Sequence, residues 1–368
     1  RDALRSANVD ALQLQADPDP IVPLPDLEQV RSRLENASEN HLPEHRLSFD
    51  GRDPRLRSEM VRDQGGSTIT EAAVANGIRW LASVQNKDGG WSLKDYKSHD
   101  QPDNPSDTMA TSLALLPMLG AGQTHQFGYH KTTVNRGLAW LISHQLSNGD
   151  LRSSGSQESS GMDAHGQATI VLCEALAMTG DPKLVAPAQA ACRFIEASQH
   201  GQGGWPFKSG MADDVSVFGW QVLALHSGRS CPAIDVDEST LSLADFFLDQ
   251  LSVDATFESE PSAKLPDGSV YAYQASQPKA TPAMTAEAIL CRIYQGWKRS
   301  DPRLGAAVTW LLNDHLPSGR NRDLCYWYYA TQVMHHYGGA AWHQWNDRMR
   351  SLLLTMQQSD GPNSGSWG

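Results

Sequence analysis

The chain has 368 residues, with 42 acidic against 30 basic side chains, so its formal net charge is −12. This charge excludes a general affinity for nucleic acid or for an anionic membrane surface, because binding to phosphate requires a basic face. Hydrophobic residues at 40% and charged residues at 20% are typical of a globular chain. With a mean hydropathy of −0.45 and no apolar run long enough for a bilayer, the sequence predicts no membrane span.

Residues 1–65 are predicted to form an extended N-terminal arm or linker. They lack sustained periodicity apart from a short helical candidate at 26–36, and they include two Pro-rich stretches. The chain begins at Arg1 without a charged start and apolar stretch, so a leader is absent or already removed. The compartment therefore stays open, with export or anchoring through a segment outside this chain among the alternatives.

Residues 66–368 are predicted to form one domain, because a single pattern repeats along them. An aromatic residue is followed five residues later by Gln, nine later by Gly and eleven later by a large apolar residue. The three clear copies are Trp80, Gln85, Gly89, Trp91, then Trp140, Gln145, Gly149, Leu151, then Phe194, Gln199, Gly203, Trp205. Three eroded copies follow, the fifth starting at Trp310 and the sixth at Trp342.

Each copy is followed by a second, charge-poor helical segment, which indicates a buried helix. These segments begin at Asp107, Asp163, Asp214, Thr281 and Asp323, residue types that commonly cap helix N-termini. Helix pairs with a buried inner member predict an all-α, (α/α)6-type toroid, a double ring of inner and outer helices with all inner N-termini at one mouth. A sixth inner helix is missing from this pattern, since the sequence stops at Gly368.

The Gly-x-x-Trp-Leu, Gln and Gly-x-Trp elements resemble the QW motif of squalene and oxidosqualene cyclases and the related repeat of protein prenyltransferase β subunits. The segments at 323–332 and 360–362 are similar to bacterial prenyltransferase/squalene-oxidase repeat proteins. The resemblance covers about residues 70–367. It implies the fold of the terpenoid cyclase superfamily and an apolar, isoprenoid-type ligand in the central cavity.

Two acidic candidates follow from the resemblance to class II cyclases, which protonate an alkene with an Asp-rich sequence at the start of an inner helix. The nearest match is Met211-Ala212-Asp213-Asp214, so Asp213 and Asp214 are the first candidates for a catalytic acid. The alternative is a helix cap with a second charge near the helix dipole. Asp107 and His165 extend the candidates to a ring of acid/base groups at the mouth, and independent caps are the alternative here too.

A second resemblance, to the zinc site of protein prenyltransferases, rests on Asp323 and Cys325 at the start of an inner helix. Carboxylate and thiolate suit zinc, but a third ligand is missing, and a cap with a buried thiol is the alternative. The sequence therefore requires no cofactor and leaves zinc as an option. The aromatic candidates for lining the cavity are Trp220, Phe218, Tyr326, Trp327 and Tyr329. A helix shows only one face inward, so not all of them can do so.

The first functional hypothesis is a terpenoid-cyclase-like or prenyltransferase-like protein that binds an apolar small molecule, with catalysis by Asp213 or Asp214 left open. The second is a non-catalytic module that binds a protein or peptide on the same fold. The third is a polysaccharide lyase or hydrolase on this architecture, although the acidic balance argues against polyuronate substrates.

Overall fold

The fold is mostly helical. The computed structural model describes residue 52 and residues 54–93, 106–152, 161–206, 215–257, 263–274, 277–320 and 322–367. These residues hold twelve α-helices and one two-stranded antiparallel sheet, with β1 at Ala272–Gln274 and β2 at Gln277–Ala280. No helix in these ranges combines the length and the apolar character that crossing a membrane demands.

Five inner helices pack side by side in chain order. They are α3 (Asp107–Gly120), α5 (Met162–Thr179), α7 (Val215–Arg229), α9 (Pro282–Tyr294) and α11 (Leu324–Tyr337). The outer helices are α2 (Thr68–Ser83), α4 (Lys131–Ser143), α6 (Val185–Ser198), α8 (Glu238–Leu251), α10 (Pro302–Asp314) and α12 (Gly339–Met356), and α1 (Pro54–Asp63) precedes them. Because an outer helix separates each inner helix from the next, the inner helices run in the same direction.

The inner helices begin close to the predicted caps. Thr281 and Asp323 are N-caps as predicted: the Thr281 side chain accepts from the Met284 N–H, and that of Asp323 from the Tyr326 N–H. Two other starts differ by one or two residues. Asp107 and Asp163 lie inside the first turn, after N-caps at Ser106 and Gly161, where their carboxylates still favour the positive end of the helix dipole.

The repeated Gln joins each turn to the next outer helix. The Nε2 group of Gln85 donates to the carbonyls of Gly89 and Thr133, at 2.8 and 3.0 Å. The same two bonds are made by Gln145 to Gly149 and Pro187, by Gln199 to Gly203 and Thr240, and by Gln357 to Gly365 and Ala73. Because Ala73 lies on α2, the last joint closes the outer layer on itself.

The sixth copy is in a different register from the predicted one. We call the residue that begins each copy its ring position. In the first copy, Trp91 Nε1 donates to the carbonyl of Leu81, which follows the aromatic residue that begins the copy, Trp80. In the sixth copy, Trp367 Nε1 donates in the same way to the carbonyl of Leu353. The ring position of this copy is therefore Leu352 and not Trp342, which is at the start of α12. The turn that follows Gln357 is also longer than in the clear copies, and this hides the register in the sequence.

Helix α1 lies in the segment predicted to be an extended arm, so that prediction is wrong for residues 54–63. Arg57 ties this helix to the ring: its Nε donates to Glu71 on α2 at 2.7 Å, and its Nη1 donates to the carbonyl of Gly120, the last residue of α3, at 3.3 Å. The rest of the arm, with the helical candidate at 26–36, lies outside the described residues.

Candidate functional site

The contacts of the inner helices with the outer layer show which way each inner helix faces. The residues that touch outer helices or their turns are Leu115, His165, Phe218, Thr285 and Tyr326. A side chain two positions away lies about 200° around the helix and therefore faces the interior. These interior positions are Leu113, Asp163, Trp220, Glu287 and Tyr328. We call the space that they surround the lumen.

Two of the predicted ligand-binding aromatics, Phe218 and Tyr326, face the outer layer instead of the lumen, and a third, Trp327, is buried. Phe218 is fully buried, and its ring packs against Trp205 at 5.6 Å between centroids. The Tyr326 hydroxyl donates to the carbonyl of His315 at 2.8 Å. Trp327 is 3% exposed within the core. No face of these rings is open to a ligand in the lumen.

The aromatic face of the lumen is formed by Trp220 and Tyr328, and the predicted Tyr329 is buried beside them. The Trp220 ring stacks on Tyr328 at 5.3 Å and tilts against Tyr329 at 5.7 Å, which connects α7 with α11. Tyr328 is 40% exposed, yet the surrounding protein raises the pKa of its hydroxyl to about 12. Its exposed face therefore opens to the interior of the ring. Leu113, 43% exposed on α3, adds an apolar surface to the lumen.

His165 serves the architecture rather than the lumen. Its Nδ1 accepts from the Leu151 N–H at 3.1 Å, so its proton is on Nε2, which donates to the Ala191 carbonyl at 3.1 Å. Thr111 and Thr285 accept in the same way from the N–H groups of Trp91 and Tyr271. Both ring nitrogens of His165 are thus engaged. Burial lowers the pKa of His165 to about 4, so the ring is neutral at pH 7.

The buried, neutral His165 predicts a loss of stability in acid. Its pKa is about 4 in the folded chain and 6.5 for a histidine in an unfolded chain, so between these values only the unfolded state takes up the proton. The free energy of unfolding then falls by up to about 1.4 kcal/mol per pH unit, and the loss levels off below the folded pKa. Urea unfolding across this range is expected to show a flatter pH dependence for His165→Gln than for wild type.

A matched control is His343→Gln, because His343 is exposed on α12. This variant should keep the wild-type slope. Burial also lowers the pKa of His336 to about 4. His336 therefore contributes to the pH dependence of the free energy of unfolding, and part of this dependence remains in every variant. Identical slopes for His165→Gln and wild type would contradict the assignment.

Carboxylates gather where the inner helices begin. Glu287 is 1% exposed, and its Oε1 accepts from the Gly219 N–H at 2.8 Å. A Cβ at position 219 would lie 2.4 Å from that oxygen, so only glycine permits this contact. Asp107 accepts from the Ser92 hydroxyl at 2.7 Å. Asp213 and Asp214, the first candidates for the acid, lie outside the described residues.

The zinc prediction finds little support among the residues described. Asp323 Oδ1 accepts from the Tyr326 N–H at 2.9 Å, as a cap does. Cys325 is solvent-exposed at the mouth, yet desolvation of its sulfur, together with the charges of Asp323, Glu287 and Asp163, raises the pKa of the thiol. The described residues include no group of three His, Cys, Asp or Glu placed to hold a metal ion. They do not fit a zinc site.

The opposite end of the lumen is polar. Glu174 lies on the face of α5 away from His165, and its Oε2 accepts from Arg52 Nη1 at 2.6 Å. The Tyr294 hydroxyl donates to Gln332 Oε1 and contacts His336 Nε2, each at 3.4 Å. The lumen thus has three levels: carboxylates at the mouth, apolar and aromatic side chains in the middle, and a polar end.

Sequence reasoning missed Tyr328 and Glu287 as site residues. Both could have been found from helix geometry. Tyr328 and Glu287 each lie two positions after a residue that bonds the outer layer or its turns, Tyr326 and Thr285 respectively, and therefore face the opposite way. Arg52 could not be found in this way, because it lies outside the repeats.

Comparisons with known proteins agree with this architecture. Residues 62–164 match the family model of the squalene-hopene cyclase C-terminal domain. A squalene–hopene cyclase of Bradyrhizobium diazoefficiens is 38% identical over 76 residues, which cover 19% of this chain and 10% of that protein. The match thus spans about a tenth of the length of this curated relative.

Two solved structures have a similar fold. The type II terpene cyclase MstE from Scytonema, in its apo form, matches with a TM-score of 0.51 at 15% identity over 80% of each chain. The GH76A α-1,6-mannanase of Salegentibacter sp. HEL1_6 matches with a TM-score of 0.52 at 11% identity, over 80% of this chain and 92% of the other. The family model confirms the resemblance predicted from the repeat over the residues that it matches, and the two solved structures show that the chain shares the fold of proteins of this kind.

Proposed function

We propose that the lumen binds an apolar, isoprenoid-type molecule along its aromatic face. The observation that carries the proposal is the Trp220–Tyr328 stack, whose rings face the interior of the helical ring with Leu113 on α3. Aromatic and aliphatic surfaces of this kind bind hydrocarbon by burying it from water. The rings also stabilise positive charge, which suits a substrate that passes through a carbocation. The MstE structures support this ligand class by analogy, since one contains the product merosterolic acid A.

The proposal takes the architecture to be an (α/α)6-type toroid. The joint from Gln357 to Ala73 supports a ring of six outer helices. Helix α1 is held by Arg57 at the end of α3, an inner helix of this ring.

Catalysis remains a prediction. If the protein turns over its ligand, Asp213 or Asp214 would supply the proton, and Glu287 and Asp163 are the further carboxylates at the mouth, where both act on Cys325. Crowded carboxylates keep one group protonated, as protonation of an alkene requires. No zinc and no other cofactor enters this proposal.

Trp220→Ala is expected to weaken binding of a prenyl alcohol such as geranylgeraniol by about tenfold to a hundredfold. Removing the indole takes away buried apolar contact worth about 1.5–3 kcal/mol. Affinities would be measured by titration calorimetry, together with mass spectrometry of products from squalene, geranylgeraniol and geranylgeranyl diphosphate.

Tyr129→Ala is the matched control, because Tyr129 is an exposed aromatic residue outside the lumen, before α4. It should bind as wild type does. The proposal fails if wild type shows neither binding nor turnover of any of these compounds at high protein concentration, or if both variants lose affinity equally.

A second candidate is a glycoside hydrolase, and carboxylates above an aromatic face favour it. Paired carboxylates cleave glycosidic bonds, and aromatic rings are suitable platforms for sugars. In the GH76A mannanase, a variant with asparagine in place of two consecutive aspartates is inactive, and Asp213 and Asp214 are consecutive here. Release of reducing sugar from α-1,6-mannan would establish this candidate in place of the first. The protein or peptide module stays a prediction that no described contact favours.

A further inference from the structure

The polar end of the lumen contains a side chain from outside the repeats. Arg52, which precedes α1, reaches α5 with its guanidinium: Nη1 donates to Glu174 at 2.6 Å and contacts the sulfur of Met178 at 3.7 Å. The side chains of Arg52 and Glu174 are 26% and 9% exposed. Glu174 lies on the face of α5 opposite His165, which contacts the outer layer, so this pair faces the lumen.

The guanidinium also acts on side chains of two other inner helices. Burial raises the pKa values of Tyr294 on α9 and Tyr328 on α11, and the positive charge of Arg52 opposes this in both. The Tyr294 hydroxyl donates to Gln332, which lies on α11 four residues after Tyr328, so the polar layer extends from α9 to α11. Arg52 therefore contacts α5 and lies close enough to Tyr294 and Tyr328 for its charge to act on both.

An apolar chain cannot enter this layer without cost. To pass it, the chain would have to displace a charged hydrogen bond and leave Glu174 without its partner in a buried position. We propose that Arg52, held by Glu174, is the floor of the lumen and determines the longest chain that the lumen accepts. This inference rests on the proposed function, because it concerns the length of the same isoprenoid ligand.

The floor can be removed with little damage to the fold. Arg52→Ala alone would strand the Glu174 carboxylate, so the test uses the double variant Arg52→Ala/Glu174→Gln. A second double variant, Arg52→Met/Glu174→Gln, restores the bulk of the side chain without its charge. Arg62→Ala is the control, because Arg62 is an exposed arginine on α1 near Arg52 in sequence. Melting temperatures and circular dichroism would confirm that each variant is folded.

Affinities for farnesol, geranylgeraniol and geranylfarnesol would be measured for all four proteins. These alcohols differ by one isoprene unit each. The Arg52→Ala/Glu174→Gln variant is expected to gain at least about tenfold in affinity for the longest alcohol that wild type rejects, while its affinity for farnesol changes little. The Arg62→Ala variant should keep the wild-type length profile. The Arg52→Met/Glu174→Gln variant should lengthen it as the Ala variant does, because it lacks the charged pair whose displacement limits the chain.

The outcomes separate the two proposals. If wild type binds the alcohols and the Arg52→Ala/Glu174→Gln variant has the same length profile, the floor is overturned while the proposed function stands. The floor is also overturned if Arg62→Ala lengthens the profile as much, or if the Met-containing variant, which lacks the charged pair, keeps the length limit. If neither wild type nor any variant binds any of the alcohols, the proposed function fails and the floor with it.

Discussion

Gly203→Ala is expected to lower the free energy of unfolding by more than about 4 kcal/mol, among the largest effects of a single methyl group. Gly203 has a φ of +95°, and a Cβ there would lie 2.0 Å from the carbonyl oxygen of Leu243. The left-handed backbone alone costs an alanine roughly 1–2 kcal/mol. To relieve the overlap, the turn must move away from α8 and lose the bond from Gln199 to the Thr240 carbonyl, now 2.9 Å long.

Gly180→Ala isolates the backbone contribution. Gly180 also has a positive φ, +64°, but no atom lies within 4 Å of the position its Cβ would take. This variant should lose only about 1 kcal/mol. Urea unfolding would measure both variants. If Gly203→Ala and Gly180→Ala lost the same free energy of unfolding, the turn would require glycine for its backbone conformation and not for its close contact with the next outer helix.

Gln357→Ala is expected to cost about 2–4 kcal/mol, because two carbonyls lose their donor in a place with little access to water. Gln357 is 8% exposed and bonds Ala73 at 2.7 Å and Gly365 at 2.8 Å. The loss falls on the contact between the last and first repeats. Amide hydrogen exchange should therefore accelerate first in α2 and α12, with the inner helices affected less.

The neighbouring residue supplies the control for this joint. Gln358 is exposed, and the hydrogen bond it donates to the Ser366 carbonyl comes from its backbone N–H, so Gln358→Ala should change stability by less than about 0.5 kcal/mol. If Gln357→Ala accelerated exchange uniformly along the chain, or if Gln358→Ala were equally damaging, closure of the ring through this side chain would be refuted.

Much of the fold could be predicted from the sequence because the repeat ties residue types to fixed contacts. The spacing from Trp80 to Gln85 to Gly89 reflects a real joint, in which the Gln side chain spans from its own turn to the next helix. The register failed in the sixth copy, where the ring position is an ordinary Leu352 and the turn is lengthened. Helix α1 escaped prediction because it is short, ten residues long, and has few apolar side chains among its charged ones.

For the site, the sequence predicted the end of the ring at which it lies but not which side chains face the lumen. Sequence reasoning placed aromatic residues at the starts of α7 and α11 but could not fix the rotation of each helix, which depends on packing against the outer layer. Phe218 and Trp220 illustrate this, since they lie two positions apart and face opposite ways. His165 was taken for an acid/base group because histidine titrates near neutral pH, whereas its burial between two backbone groups keeps it neutral.

The Gln joints have a consequence for how proteins of this kind can diverge. Each joint ends on a main-chain carbonyl, and the residues that supply the acceptors are as different as Thr133, Pro187, Thr240 and Ala73. Every amino acid offers that carbonyl, so mutations in an outer helix leave the joint chemically intact. The lumen side chains take no part in these joints. Ligand preference can therefore be rewritten at a few inner positions while the same backbone ring is inherited unchanged.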